Sequence, residues 1–361
     1  MKFELLELLN FRNYYKLSLK FSPNVNIIYG KNGSGKTNIV EAIYVLALTK
    51  TFRNVNDKSL IRKTCEKAKI KGTVKQTKKT KYQVEITKEG KKVQINNNKI
   101  QLLSEYIAKI PIVVFSPGDL RILKDTPITR RKFLNIELSF YDSNYLKYVS
   151  DYNKVLKQRN SYLKQLSLNA NKSYEYLDIL TQKLIELGKI IYDLRLEFIN
   201  QINLRINDYY NLITKDGSVS VKYLSTFEKS AEELAKKFKK IYGKELNFGK
   251  TLLGVHLDDL DFLLDDNKAK EWASEGQIKN IIVALKLAEL EMIKERLGFG
   301  PILILDDLFS ELDKEKINNI LKLLPSDCQI FITTTELSKL KKSLKENSKK
   351  FKVFSGNVVE E

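Results

Sequence analysis

Histidine and cysteine are almost absent from this chain of 361 residues. The single histidine, His256, excludes a His-rich metal site and leaves no Ser-His-Asp triad elsewhere. Two cysteines, Cys65 and Cys328, stand far apart, too few for a disulfide framework or a zinc site. A reducing cytoplasm is therefore the expected compartment. Apolar runs are all too short to span a bilayer, and no membrane partner is expected. Met1-Lys2-Phe3-Glu4-Leu5-Leu6-Glu7 carries acids inside its apolar stretch and does not read as a signal peptide. Internal repeats and long disordered tracts are missing too, and only the last few residues are expected to fray. Carboxylates, lysine, Ser/Thr hydroxyls and a bound metal remain to carry chemistry.

Basic charge is abundant. Lys+Arg number 63 against 44 Asp+Glu, a net charge of +19. Such a surface suits a polyanion, nucleic acid before membrane. Lysine, asparagine and isoleucine are also what an AT-rich genome places on solvated faces, so both readings stand. At 43% hydrophobic, the chain can bury the core of one large or two ordinary domains.

Gly30-Lys31-Asn32-Gly33-Ser34-Gly35-Lys36-Thr37 fits G-x-x-x-x-G-K-[ST], the phosphate-cradling P-loop. Its glycines let the backbone curl so that successive N–H groups face phosphate oxygens. Lys36 supplies a cation near the β and γ phosphates, and the Thr37 hydroxyl suits Mg²⁺. Context supports the motif over a plain Gly-rich turn. Val25-Asn26-Ile27-Ile28-Tyr29 is a short β-prone run before it. Ile39, Ala42, Ile43, Leu46 and Ala47 recur at helical spacing after it. The helix N-terminus then adds partial positive charge at the phosphates.

The rest of the chain alternates between two styles. Residues 1 to about 28 read as a hairpin turning at Arg12-Asn13, and 70–75, 82–87 and 93–95 as further strands. Ile112-Val113-Val114-Phe115 is a fully apolar strand ended by Ser116-Pro117-Gly118. From about Thr129 to Asn211 the pattern is helical, with Leu177, Leu180, Leu184, Leu187, Ile191, Leu194 and Phe198 on a heptad seam. Around a polar loop, Asn169-Ala170-Asn171-Lys172-Ser173, this reads as an antiparallel helical hairpin about 30 Å long, or as an ordinary core helix pair. A strand at 219–223 and a lysine-rich helix at 228–242 follow.

Near Gly254 the mixed style returns. Ile302-Leu303-Ile304-Leu305-Asp306-Asp307 reads as a buried parallel strand with its carboxylates at the ligand crevice. Asp306 is placed to complete a Mg²⁺ shell, and Asp307 to act as general base on the attacking water. Ala273-Ser274-Glu275-Gly276-Gln277 opens a helix; Ser274 is either an anion-binding hydroxyl or a plain N-cap. On that helix Asn280, Lys286, Glu289 and Glu291 are expected to face out, and Ile281, Ile282, Leu285, Ala288 and Met292 to face in. Ser310-Glu311-Leu312-Asp313 reads as a turn into another helix. A last apolar strand, 329–333, ends in Thr334-Thr335, where a polar residue can sense a γ-phosphate.

The order of these elements resembles that of the ABC-type ATPases, and more narrowly the SMC-like branch with a split head. Within it the chain resembles the RecF family of bacterial recombination mediators, over nearly its whole length. The resemblance is carried by Leu9-Asn10-Phe11-Arg12-Asn13-Tyr14, the P-loop with Asn38 and Glu41-Ala42-Ile43, and Thr51-Phe52-Arg53. Phe115-Ser116-Pro117, Arg130-Arg131-Lys132-Phe133-Leu134 and Asp306-Asp307-Leu308-Phe309-Ser310-Glu311-Leu312-Asp313 complete it.

The resemblance implies an α/β fold. Residues 1–120 and 251–361 would form a P-loop ATPase head from the two ends of the chain, and 121–250 an inserted, mainly helical lobe. It implies that Gly30, Lys31, Asn32, Gly33, Ser34, Gly35, Lys36, Thr37, Asn38, Arg12 and Thr335 hold ATP. Ser274, Gly276 and Gln277 would do so from a second copy, making an ATP-dependent homodimer with two composite sites. Thr37 and Asp306 would hold Mg²⁺, and Lys36, Asp306 and Asp307 would serve a weak, DNA-linked hydrolysis acting as a timer. Implied partners are duplex DNA, single-strand/duplex junctions, RecO and RecR, and through them RecA.

Two departures stand out. The family's usual Gly-Pro-His-Arg-Asp-Asp is Gly254-Val255-His256-Leu257-Asp258-Asp259 here, so contacts of that arginine are not carried over. Glu275 stands where Gln or Lys is usual and is expected to point away from phosphate. Other classes fit less well. A transporter ATPase subunit would show a double-Gly signature, Asp-Glu after the strand and a switch histidine. A structural DNA-bridging head would carry long arms. A P-loop kinase would have no use for Ser274.

Overall fold

Alternation in the first twenty residues builds a hairpin. β1 (Lys2–Phe11) turns at Arg12-Asn13 into β2 (Tyr14–Lys20), with Leu6 opposite Leu19. The computed structural model describes every residue except 54, 169–172, 215–216, 309–313 and 341. β3 (Val25–Tyr29) leads through residues 30–35 into α1 (Lys36–Leu48), which is buried along nearly its whole length. β4 (Lys67–Lys75), β5 (Lys79–Thr87), β6 (Lys91–Ile95) and β7 (Asn98–Ile100) then extend an antiparallel sheet in the order β2-β1-β4-β5-β6-β7. Its inner face meets α1 so closely that a Cβ on Gly72 would lie 2.4 Å from Leu46. β8 (Ile112–Phe115) is buried at every residue.

The helical stretch follows as α2 (Pro127–Tyr141), α3 (Tyr145–Leu168) and α4 (Tyr174–Thr214). α3 and α4 run antiparallel, since Leu163 and Leu166 cluster with Leu177 while Tyr145, at the far end, bonds Arg195. The 41 residues of α4 reach about 60 Å at 1.5 Å per residue, twice the length expected from the seam. Gly188 does not break it: its missing Cβ makes room for the Phe227 ring, which would lie 2.3 Å from such an atom. The loop at 169–172 lies outside the described residues.

β9 (Val219–Leu224), α5 (Ala231–Phe248), β10 (Asp259–Leu264) and β11 (Asn267–Lys268) come next, the strands in the order β11-β10-β9. Then α6 (Glu275–Leu297) leads to β12 (Ile302–Asp306), β13 (Gln329–Thr334), β14 (Ser348–Phe354) and β15 (Asn357–Glu360). These four join β3 and β8 in a second sheet, β15-β14-β3-β13-β12-β8, parallel throughout except for the β14–β15 hairpin. Phe3, Phe21, Phe331 and Phe351 tie the two large sheets together through tilted and edge-on ring contacts of 4.9–6.5 Å.

The chain divides into two compact units: Met1–Leu120 with Leu212–Lys215 and Ile282–Glu361, and Arg121–Asn211 with Asp216–Ile281. Residues 251–281 thus pack with the helical unit. One expectation for α6 is overturned. Asn280, Lys286 and Glu289 are buried, at 4%, 4% and 0% exposure. The helix is covered on all sides from Ile281 to Leu290, so it has no polar face there, and Lys286 instead donates to Glu289 at 2.8 Å.

The helical unit is locked by buried ions. Arg159, fully buried, donates to Thr181, Thr251 and Glu245 at 3.0, 2.8 and 2.6 Å, and lies over the Phe238 ring. Replacing it with leucine leaves the buried Glu245 carboxylate without its counter-charge. Arg159→Leu is expected to lose about 3–5 kcal/mol of stability, read by urea unfolding. Arg159→Leu with Glu245→Gln should recover part of the loss. A single variant within about 1 kcal/mol of wild type would show that the pair is not the lock.

Candidate nucleotide site

The site grows from strand register. β3, β13 and β12 are parallel neighbours, with Tyr29 opposite Thr334 and Thr333 opposite Asp306. Their carboxyl ends therefore reach one edge together, where residues 30–35 leave β3. Gly30 has φ 151°, and a Cβ there would lie 2.2 Å from the Val353 carbonyl oxygen on β14. Gly35, with φ 115°, caps α1 and would place a Cβ 2.5 Å from Asn13 Nδ2. Both positions demand glycine on backbone conformation and on space.

The Lys36 ammonium folds back on this loop, donating to the Gly30 and Lys31 carbonyls at 2.8 and 3.0 Å. Burial pulls its pKa below the ordinary lysine value, while Asp307 and Asp306 oppose the shift. Ser34 Oγ is buried with no hydrogen-bond partner among the described residues. A hydroxyl left so is destabilising unless a ligand satisfies it. Lys31, Asn32 and Gly33 are exposed.

Thr37 donates to Asp306 Oδ1 at 3.0 Å, and Thr333 donates to the same oxygen at 2.7 Å. Burial pushes the Asp306 carboxyl up; the bonds from Thr333 and Thr37 hold it down, and Asp307 adds to the rise. Asp307 stands beyond it at φ 52°, its N–H donating to Thr333 Oγ1 at 2.9 Å. Thr37 and Asp306 thus present hard oxygens side by side, which suits Mg²⁺. No group of three or more His, Cys, Asp or Glu among the described residues could hold a metal alone. Such an ion would draw its other ligands from nucleotide and water.

The β1–β2 turn braces the loop. Asn13 donates to the Ser34 carbonyl at 3.2 Å, Tyr14 to the Gly35 carbonyl at 3.1 Å, and Asn38 to Asn13 at 2.8 Å. Arg12 is committed within the protein. Its Nε and Nη2 clamp the two oxygens of buried Glu41 at 2.8 and 2.7 Å, and Nη1 reaches Ser59. Thr51 completes the Glu41 shell at 2.5 Å, and half-exposed Arg53 donates to Asn38 at 3.1 Å. Sequence reasoning gave Asn13, Glu41 and Thr333 no part in the site: it placed Asn13 at the hairpin turn, Thr333 at the end of a strand and Glu41 on the helix after the P-loop.

Thr335 follows β13, next to the Thr334 carbonyl that accepts the Gly30 N–H at 3.3 Å. The Ser310-Glu311-Leu312-Asp313 turn lies outside the described residues. In the other unit, Ser274 caps α6: its Oγ accepts from Gln277 N–H at 3.2 Å, and its N–H donates to Gln277 Oε1 at 2.9 Å. Accepting that bond leaves the hydroxyl hydrogen free to donate. Ser274 and Gly276 are exposed, and Glu275 is held by Lys124 at 2.9 Å. Asp258 and Asp259, which keep the family motif together with Gly254 and His256, are bound by Arg195 at 2.7 Å and Arg130 at 2.5 Å. His256 bonds Tyr152 at 2.8 Å, and burial lowers its pKa to about 4.

A parallel sheet with a P-loop on one strand and a paired carboxylate on another, split between the chain's two ends and sharing an antiparallel sheet, defines an ABC-type ATPase head. A family model described as RecF/RecN/SMC N terminal domain matches residues 2–358. The chain belongs to the RecF family. It is 38% identical over 367 residues to the DNA replication and repair protein RecF of Latilactobacillus sakei subsp. sakei (strain 23K), covering 99% of this chain and 98% of the relative. The Staphylococcus aureus (strain bovine RF122 / ET3-1) protein of the same name is 36% identical over 369 residues, covering 99% and 100%. Among solved structures, the recombination mediator protein RecF-ATP in the RecFOR pathway aligns with TM-score 0.92 and 30% identity, over 100% of this chain and 97% of that one. An Smc head bound to the C-winged helix domain of ScpA, at TM-score 0.56 and 15% identity over 100% and 98%, shares the fold. No helix among the described residues is long and apolar enough to cross a membrane.

Proposed function

We propose that this chain is an ATP-switched DNA-binding protein of recombinational repair, in which ATP closes a homodimer and hydrolysis reopens it. The observation carrying this reading is the meeting of the P-loop with the β12 carboxylates, where Thr37 and Asp306 are bonded at 3.0 Å. The orphaned Ser34 hydroxyl supports a phosphate ligand there. The likeness to RecF-ATP supports ATP as the nucleotide.

Residues 30–38 would wrap the phosphates, with Lys36 trading one loop carbonyl for a phosphate oxygen. Bound Mg²⁺, held by Thr37 and Asp306, would screen the phosphate charge. Asp307 would take the proton of the attacking water. Thr335 would meet the γ-phosphate from β13. Ser274, Gly276 and Gln277 of a second copy would close the site, the Ser274 hydroxyl donating to phosphate while α6 adds its N-terminal N–H groups. The partners on this reading are duplex DNA, single-strand/duplex junctions, RecO and RecR, and indirectly RecA, in the cytoplasm.

Sedimentation with ATP, ADP or no nucleotide, with and without gapped DNA, tests the reading. A dimer in ATP alone, shifted further by DNA, is expected. A monomer under every condition would remove the composite site.

A further inference from the structure

The outer face of the antiparallel sheet concentrates positive charge that the nucleotide site does not use. On β4, Ala68, Ile70, Gly72 and Val74 are buried, and the residues between them point outward: Lys67, Lys69, Lys71, Thr73 and Lys75. Pairing carries the lysines across the sheet. One row reads Lys16, Leu9, Lys69, Glu85, Lys92 over five strands, and the next but one reads Lys20, Leu5, Thr73, Lys81. Outward positions repeat about 6.8 Å along a strand and about 4.8 Å between strands. Acids are scarce among them: Glu85 meets Lys69 at 3.5 Å, Glu4 meets Lys79 at 2.8 Å, and Glu7 stands opposite Lys71. Lys67, Lys71, Lys75 and Lys81 are exposed.

What the face lacks narrows its ligand. No aromatic ring stands at an outward position of β1, β4, β5 or β6, and on β2 the exposed Tyr15 alternates with the outward Lys16, Ser18 and Lys20. Single-strand platforms stack bases on such rings. No arginine fork stands there to read base edges either. Ammonium groups on flexible stems, spaced over a sheet, suit phosphates approached without regard to sequence. We infer that this face binds the sugar–phosphate backbone of duplex DNA, in a sequence-independent way. The inference rests on the reading of the chain as a DNA-binding protein and adds where the duplex lies.

The test uses the full chain with ATP. Lys67, Lys71, Lys75 and Lys81 are changed together to glutamine, and affinity for a labelled 30-bp duplex is followed by anisotropy from 50 to 200 mM salt. Four lost phosphate contacts should lower the slope of log affinity against log salt by about 3.6, and affinity at 100 mM salt by roughly tenfold or more. A charge-matched control, Lys236, Lys239, Lys240 and Lys244 of α5 to glutamine, should keep the wild-type slope. Melting temperature and ATP-dependent sedimentation confirm that both sets are folded. An unchanged slope in the sheet set would overturn the assignment and leave the protein DNA-binding. Equal losses in both sets would reduce the effect to net charge and overturn it too. So would loss of (dT)30 binding with duplex binding intact. A wild-type chain that binds no duplex would end the broader reading along with this one.

Discussion

Lys36→Met is expected to weaken ATP binding roughly 10- to 150-fold and to abolish ATP-dependent dimerisation. A charge-assisted hydrogen bond contributes about 1.5–3 kcal/mol, and each 1.4 kcal/mol is a decade of affinity. On the proposed reading the variant would lose its bond to phosphate, and it loses the two bonds that hold the Gly30 and Lys31 carbonyls at 2.8 and 3.0 Å. The loop then loses its curl as well as its cation. Lys36→Arg should do nearly as badly. A planar guanidinium does not fit where a compact ammonium touches two carbonyls of one tight loop, and the Gly30 turn cannot widen against Val353. Titration with a fluorescent ATP analogue gives the affinity, and sedimentation gives the dimer. A Lys36→Met protein that still dimerised with ATP would sink the composite-site reading.

Legibility in the sequence followed the range of the interactions. The P-loop was readable because its glycines, lysine and threonine are contiguous and need only the strand before and the helix after. The β12 carboxylates were readable because a fully buried parallel strand has to be apolar until its end, and Asp306 is that end. The brace at the β1–β2 turn was not. It depends on Asn13 and Ser34, 21 residues apart and carried by different sheets, meeting through the packing of one sheet on the other and not through any local pattern. The Arg12–Glu41 clamp was hidden for the same reason, so the bonds of Arg12 to Glu41 and Ser59 were not foreseen. Polarity misled on α6. Lys286 and Glu289 look solvated one at a time, but at i and i+3 they pair at 2.8 Å, and a pair can be buried where a lone charge cannot. The length of α4 was missed because the heptad seam was followed only to Phe198, while the helix runs on to Thr214 over buried Ile199, Ile202, Ile206 and Tyr210.

Asp307→Asn should separate binding from hydrolysis. Asparagine tolerates the left-handed backbone that Asp307 adopts at φ 52°, and the bond from its N–H to Thr333 is retained. The site should therefore keep its shape and its hold on ATP. On the role proposed for Asp307, the variant would lack the carboxylate that accepts the proton of the attacking water, a contribution of about 10²- to 10⁴-fold in rate. ATP turnover should fall by that factor while the ATP dimer persists and stays trapped on DNA. Phosphate release and sedimentation of one preparation report both quantities. Asp306→Asn gives the contrast, because Asp306 is bonded to Thr37 and Thr333 and sits where Mg²⁺ would be held. Its loss should raise the Mg²⁺ concentration needed for ATP binding, an effect Asp307→Asn should not share. Rapid turnover by Asp307→Asn would take Asp307 out of the proton-accepting role. An equal Mg²⁺ dependence in the two variants would mean that the adjacent carboxylates do not divide the work as their positions on β12 and just beyond it imply.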